Sequence, residues 1–344
     1  MVKLLLIGLA ASTTANPAFC AFGTTADGAC ILDCIGNGDD RVCLQASPQG
    51  PRTLKNLDST TDCDEIVALG CVIAGTDITI DRHITLRGSR PVIIIATGTL
   101  TITEAGIVDA NGATDQPGAG GDAACANDAT PPASEGMYGG GGAGGSFATR
   151  GGDGGSGATA LGGRAGAAGE AMGFRAGCNG TDRADGSATT RGVGGFGGGG
   201  IYLGAVKAIA LSGTVLASGG GGGRAQRGGG GGGGSGGAIV IAAPMLSVAT
   251  SASVVANGGG GGGGGGGGTD AINGARGATA TTIAEPRGGL GAAAGGSGAY
   301  AMQPAAAGSA GNDGGGGGGG GGAGSIRVLG GGSLAGAQVS PPPS

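Results

Sequence analysis

Tryptophan is absent, histidine occurs once, and aromatic residues make up 2% of the 344 positions. Lysine occurs only at Lys3, Lys55 and Lys207, so no basic patch with interleaved aromatics exists and nucleic-acid binding has no support. Large apolar residues are too sparse for a conventional globular core of this length. Charge does not explain the shortfall: the net charge is −5, spread evenly, which does not suit a solvated polyelectrolyte. With His83 the sole imidazole there is no Ser–His–Asp order and no H-E-x-x-H motif. Aspartate and glutamate thin out along the chain, and Asp109 has no acidic counterpart in the later repeats, so the paired carboxylates of glycoside chemistry are missing. Asp81, Arg82 and His83 form the one stretch resembling an acid–base cluster, and such a group ordinarily sits on the surface. Phosphate-loop matches are frequent in so much glycine, but none carries Gly-Lys-Ser/Thr. "GNGDD" fits no calcium loop and leaves at most a weak site at Asp39 and Asp40. No catalytic residue, cofactor or metal site is expected.

What the chain has is glycine, 93 residues of it, with runs at 219–223, 228–234, 258–268 and 314–322. Glycine loses the most conformational freedom on folding and brings no side chain to bury, so the runs need an explanation.

The opening "MVKLLLIGLAASTTANPAFCAF" has a basic residue, a short apolar run and then small residues, the pattern of a secretory signal peptide over 1–18. No later stretch reaches membrane-spanning length, so no transmembrane segment is expected. Eight cysteines agree with export, because an even count in an oxidising compartment reads as disulfides. The candidates are Cys20, Cys30, Cys34, Cys43, Cys63, Cys71, Cys125 and Cys178. Zinc is disfavoured, since "CILDC" is C-x3-C with no matching second pair.

A repeat lies under the glycine. "VDANG" at 108–112, "VLASG" at 215–219 and "VVANG" at 254–258 each follow two short apolar runs separated by small turns. "SIRVLGGGSLAGAQV" is a degenerate further copy and "TDITIDRHITLRG" an incomplete earlier one. Runs of four to six residues rich in Ile, Val, Leu and Thr are strand signals, and no long 3.6-residue period supports a helix. Near-identical multi-strand units must stack to bury their apolar faces. The expected fold is therefore all-β, a parallel β-solenoid (β-helix-like) spine with long glycine-rich insertions and a disulfide-rich N-terminal cap. The boundaries read as signal peptide 1–18, cap 19–75, first coils 76–111, insertion 112–196, repeats 197–257, insertion 258–324, and last coil with a Pro-rich tail 325–344.

The glycine tracts have two states open to them, flexible coil or polyglycine II helices packed side by side. Tyr138, Phe147, Phe174 and Phe196 flank or interrupt the tracts and are candidates to cap such a bundle.

The alternation "GGGGSGGAIVIAAPMLSVATSASVVANGGGGGG", over about residues 92–330, resembles glycine-rich exported proteins of myxobacterial type. It is loosely similar to the mycobacterial PE-PGRS proteins, which instead begin with a helical Pro-Glu domain. The resemblance implies an exported or surface location and supplies no catalytic residues. The expected function is that of a secreted or cell-surface structural protein contributing to adhesion, matrix or envelope. Its expected partner is a cell-surface or matrix polysaccharide, or another copy of itself. The alternatives are a glycan-binding or carbohydrate-active β-helix protein and an ice-binding protein. The last would need a regular Thr-x-Thr array, of which "TLTIT" at 99–103 is the one example.

Overall fold

A computed structural model describes residues 33–35, 42–44, 50–67, 69–121, 125, 138–169, 174–182, 192–266 and 282–344. The leader at 1–18, Cys20, Cys30, Asp39 and Asp40 lie outside the described residues.

Strands β1 (Asp33–Ile35) and β2 (Val42–Leu44) pair antiparallel, with Cys34 opposite Cys43. Three short strands follow: β3 (Arg52–Thr53), β4 (Leu57–Asp58) and β5 (Glu65–Val67). After these the strands come in threes. The first unit is β6 (Gly70–Gly75), β7 (Ile78–Ile80) and β8 (His83–Arg87). The second is β9 (Val92–Ala96), β10 (Thr99–Ile102) and β11 (Ile107–Asp109). The third is β12 (Ile201–Ala205), β13 (Ala208–Leu211) and β14 (Thr214–Leu216). The fourth is β15 (Ala238–Ala243), β16 (Leu246–Val248) and β17 (Ser253–Val255). β18 (Ser325–Gly330) and β19 (Gln338–Ser340) end the series.

Each strand pairs with its counterpart in the next unit. The first sheet runs β5-β6-β9-β12-β15-β18, the second β3-β7-β10-β13-β16 and the third β4-β8-β11-β14-β17-β19. Within them all pairs are parallel except β5 with β6. No helix occurs among the described residues. The architecture is all-β with parallel sheets, compatible with a β-helix or solenoid. β6 and the short β3 and β4, inside the stretch 19–75 read as a cap, already belong to these sheets.

The hydrophobic pattern explains the three sheets separately. In the second sheet Ile78, Leu100 and Ile209 are in register and buried, as are Ile80, Ile102 and Leu211, while the residues between them face outward. That alternation marks a sheet with one covered face. The third sheet aligns Ile84, Val108, Val215, Val254 and Val339 towards the same core. In the first sheet β6, β9, β12 and β15 are buried at every position. "VIIIA" and "AIVIAA" are continuously apolar because this sheet is covered on both faces. Ile73, Ile94, Leu203 and Ile241 point into the core shared with the other sheets. Val72, Ile93, Tyr202 and Val240 point the other way, into a second cluster with Phe147 and Phe174. Phe174 meets Tyr202 edge-on at 5.8 Å between ring centres. The two phenylalanines therefore seal a sheet face instead of capping glycine tracts. Each buried aliphatic side chain contributes roughly 1.5–3 kcal/mol by removal from water, which is how a thin core of Ile, Val and Leu suffices.

The glycine segments leave after β11, β14 and β17 and return just before β12, β15 and β18, and their described residues are joined by hydrogen bonds between backbones. Residues 228–238 are the clearest case. Gly230, Gly233 and Gly236 donate to Gly316, Gly319 and Gly322; Gly231, Gly234 and Gly237 donate to Gly223, Gly220 and Ala217. Gly232, Ser235 and Ala238 donate to Thr181, Cys178 and Arg175. Their carbonyls accept from three further segments, containing Gly142 and Gly145, Gly192, Gly195 and Gly198, and Gly259, Gly262 and Gly265. Every third residue thus faces the same neighbour, and one strand of glycine is bonded on six sides. Residues 314–324 repeat the arrangement, donating to 139–145, to 256–265 and to 306–309. At most of these positions only glycine fits: a Cβ built at Gly234 would overlap the Phe196 carbonyl, and one at Gly321 the Gly234 carbonyl.

Candidate functional site

The shared "V-x-A-[NS]-G" ending builds a polar ladder. Its Val and Ala enter the core, and its Asn or Ser turns into the corner where the glycine begins. Ser218 N–H donates to Asn111 Oδ1 at 2.7 Å, and Asn257 N–H donates to Ser218 Oγ at 3.2 Å. The Ser340 hydroxyl donates to Asn257 Oδ1 at 2.6 Å. Asn111, Ser218, Asn257 and Ser340 are all buried, so each unit satisfies the next one's corner. Asn257→Ala removes the acceptor of the buried Ser340 hydroxyl, whose oxygen still accepts the Ala301 N–H, and should cost about 1–3 kcal/mol, read as a lowered denaturation midpoint. An unchanged midpoint would show that the ladder is incidental.

The acid–base stretch is split apart by the fold. Arg82 Nε donates to Asp81 Oδ1 at 2.9 Å, and this exposed pair holds the Asp81 carboxyl below its usual range, chiefly through that hydrogen bond. His83 reaches instead to Asp109 of the next unit, Nε2 to Oδ2 at 3.1 Å. The other oxygen of Asp109 accepts the Asn111 N–H at 2.9 Å, so this carboxylate helps fix the corner. The described residues hold no group of three or more metal-ligating side chains.

Beside this lies an open groove of about 450 Å³ lined by Asn56, Leu57, Asp58, Asp62, Thr85, Arg87 and Gln116. Most of its polar atoms with known partners serve the local backbone. Asn56 Oδ1 accepts the Thr85 N–H, Asp62 Oδ2 accepts the Asp58 N–H, and Arg87 Nη1 donates to the Asn111 carbonyl at 2.8 Å.

The second sheet presents an outward column of small side chains, Thr53, Thr79, Thr101, Ala210 and Ser247. The stretch "TLTIT" is thus one row of a surface that other segments extend. Two of its threonines come from strands remote in sequence, and their alignment with Thr101 follows only from the inter-strand register.

Among the described residues two disulfides are present, Cys63–Cys71 and Cys125–Cys178. The first ties the segment before β5 to β6. The second secures residues 174–182, where Arg175 lies 4.8 Å over the Phe147 ring with its guanidinium 3.8 and 3.9 Å from the two sulfurs. Burial pushes the Arg175 pKa down. Cys34 and Cys43 sit opposite each other on backbone strands. Peptide mapping without reduction should recover both disulfide-linked pairs; free thiols at Cys125 and Cys178 would remove the anchor assigned to residues 174–182. No helix among the described residues is long and apolar enough to cross a membrane.

Comparison with protein-family models, curated proteins and solved structures found no match.

Proposed function

We propose that this is an exported or surface-displayed structural protein contributing to adhesion, matrix or envelope. In this reading a β-solenoid spine carries a bundle of polyglycine II helices. One observation supports it most: residues 228–238 donate to and accept from six neighbouring segments with a three-residue period, the repeat of the polyglycine and polyproline II conformation. A bundle bonded in this way is stiff and nearly free of side-chain chemistry, which suits a scaffold and offers little to a reaction. The two disulfides favour an oxidising compartment.

Protease treatment of intact producing cells tests the location. Release of fragments from untreated-permeability cells, with the disulfides intact, is expected. Recovery of the protein only from lysed cells, with reduced cysteines, would overturn the proposal.

A second reading, a glycan-binding or carbohydrate-active protein, is favoured by the open groove that Asn56, Asp62, Arg87 and Gln116 line together with Leu57. A glycan array combined with polysaccharide hydrolysis assays separates the two. Binding abolished by Asp62→Ala would favour this second reading.

A further inference from the structure

In the glycine layer, the spacing of glycine along a tract follows the number of its neighbours. Residues 228–234 and 314–322 are unbroken glycine, and each tract is bonded on six sides. Those sides alternate in kind. The N–H groups of Gly230, Gly231 and Gly232 meet Gly316, Gly223 and Thr181, whereas a Cβ on each would overlap the carbonyls of Gly262, Val193 and Ala143. Residues 151–157 have four neighbouring tracts, reached through Gly141, Gly163, Asp153 with Gly308, and Gly320, and there glycine gives way at every third position, Asp153 and Ser156. Residues 304–311, "PAAAGSAG", have three. Gly320 and Gly317 donate to the Ala306 and Ser309 carbonyls, Ala306 and Ser309 donate to Ser297 and Ala294, and Gly308 and Gly311 donate to Asp153 and Ser156. The glycines fall at 308 and 311, where a Cβ would overlap the Gly317 and Gly315 carbonyls. Ala306, Ala307, Ser309 and Ala310 are exposed. With three residues per turn, the N–H groups of Ala307 and Ala310 turn to the remaining side, where no described residue accepts them.

We propose that the side chains at 306, 307, 309 and 310 terminate the bundle, keeping the glycine tracts of a second copy from continuing it past residues 304–311. By the alternation seen in 228–238, the free donors lie between one side lined by the Cβ atoms of Ala306 and Ser309 and another lined by those of Ala307 and Ala310. With glycine at these four positions every outer side would be open to another backbone, as the sides of the inner tracts are. The sense of approach does not matter. Residues 304–311 run parallel to 151–157 and antiparallel to 314–324, and both pairings are bonded. A second copy related by a two-fold axis can therefore meet the same face in a bonded, antiparallel sense. Sheet edges are guarded against such growth by charge or proline, and here methyl and hydroxymethyl groups serve. The inference rests on the hydrogen-bonded tracts and not on the location or role proposed above.

Ala306→Gly, Ala307→Gly, Ser309→Gly and Ala310→Gly made together in the full chain, followed by sedimentation across a dilution series, test this. A concentration-dependent association absent from the unaltered chain is expected. Combining Ala307→Val with the other three glycine changes should abolish it. Hydrogen exchange at Gly308 and Gly311 reports whether the tract stays docked on its own bundle. No new association while these two amides remain protected would overturn the proposal, as would an association indifferent to Ala307→Val. If the fourfold change releases the tract, Ala307→Gly with Ala310→Gly decides instead, since it opens one side and leaves Ala306 and Ser309 in place. New association of that pair supports the proposal, and its absence refutes it.

Discussion

Replacing Gly262 and Gly265 together by valine will collapse the glycine layer while a valine at exposed Ala307 will be silent. A Cβ at Gly262 would overlap the Gly223 carbonyl and one at Gly265 the Gln226 carbonyl. Both obstacles are backbone, the Gly223 carbonyl held by the Gly231 N–H, and cannot swing aside as a side chain would. Overpacking an ordinary core costs about 1–3 kcal/mol, and two valines wedged between bonded backbones should exceed that range. The expected readout is a large fall in thermal midpoint with lost amide protection over 219–223 and 228–234. A near-neutral double variant would mean that these tracts do not touch. Shortening the run by one glycine should be far milder, and for a structural reason. In a homopolymer bonded with a three-residue period each residue is equivalent to the next, so a deletion advances the helix by one step and re-forms the same bonds. Order and tolerance of length change are therefore compatible here, whereas order and tolerance of side chains are not.

Val254→Asp or Ile239→Asp should be at least as damaging. Val254 lies in the buried column between Val215 and Val339, and Ile239 pairs with Ile201 and Ile326. Both are 0% exposed and the core offers no cation within it. Leaving a carboxyl there without a partner costs several kcal/mol, enough to consume much of a typical domain's roughly 5–15 kcal/mol stability. Val254→Ala, which removes volume without adding charge, should lose less. Equal losses from the aspartate and alanine variants would show that cavity formation, not charge burial, governs the site.

The strands were legible because their signals are local. Val254, Ala256 and Asn257 occupy fixed offsets, and each does a different job in the core or the corner ladder, so the offset survives wherever the unit recurs. The same logic exposed "SIRVLGGGSLAGAQV" as a further copy, which supplies β18 and β19. Contacts made across units left no such trace. Phe147 and Phe174 read as flanks of glycine tracts, yet they cover Tyr202 on a sheet face, because their destination depends on where two long segments return. Thr53 and Thr79 joined Thr101 only through strand register. The glycine neighbours were least legible of all. Nothing in "GGGGGGG" distinguishes the face of Gly230 that meets Gly316 from the face of Gly231 that meets Gly223, since recognition there is by backbone alone. His83 and Asp109, 26 residues apart, met for the same reason as the threonines: a parallel register between neighbouring units.

The central claim is that the glycine tracts form a hydrogen-bonded bundle on the β-sheets. Hydrogen exchange at Gly230 to Gly237 tests it most directly, because every one of these amides donates to a backbone carbonyl in a neighbouring segment. The account predicts protection approaching that of β12 and β15. Exchange of these eight amides at the rate of an unstructured glycine chain, with β12 and β15 still protected, would contradict it.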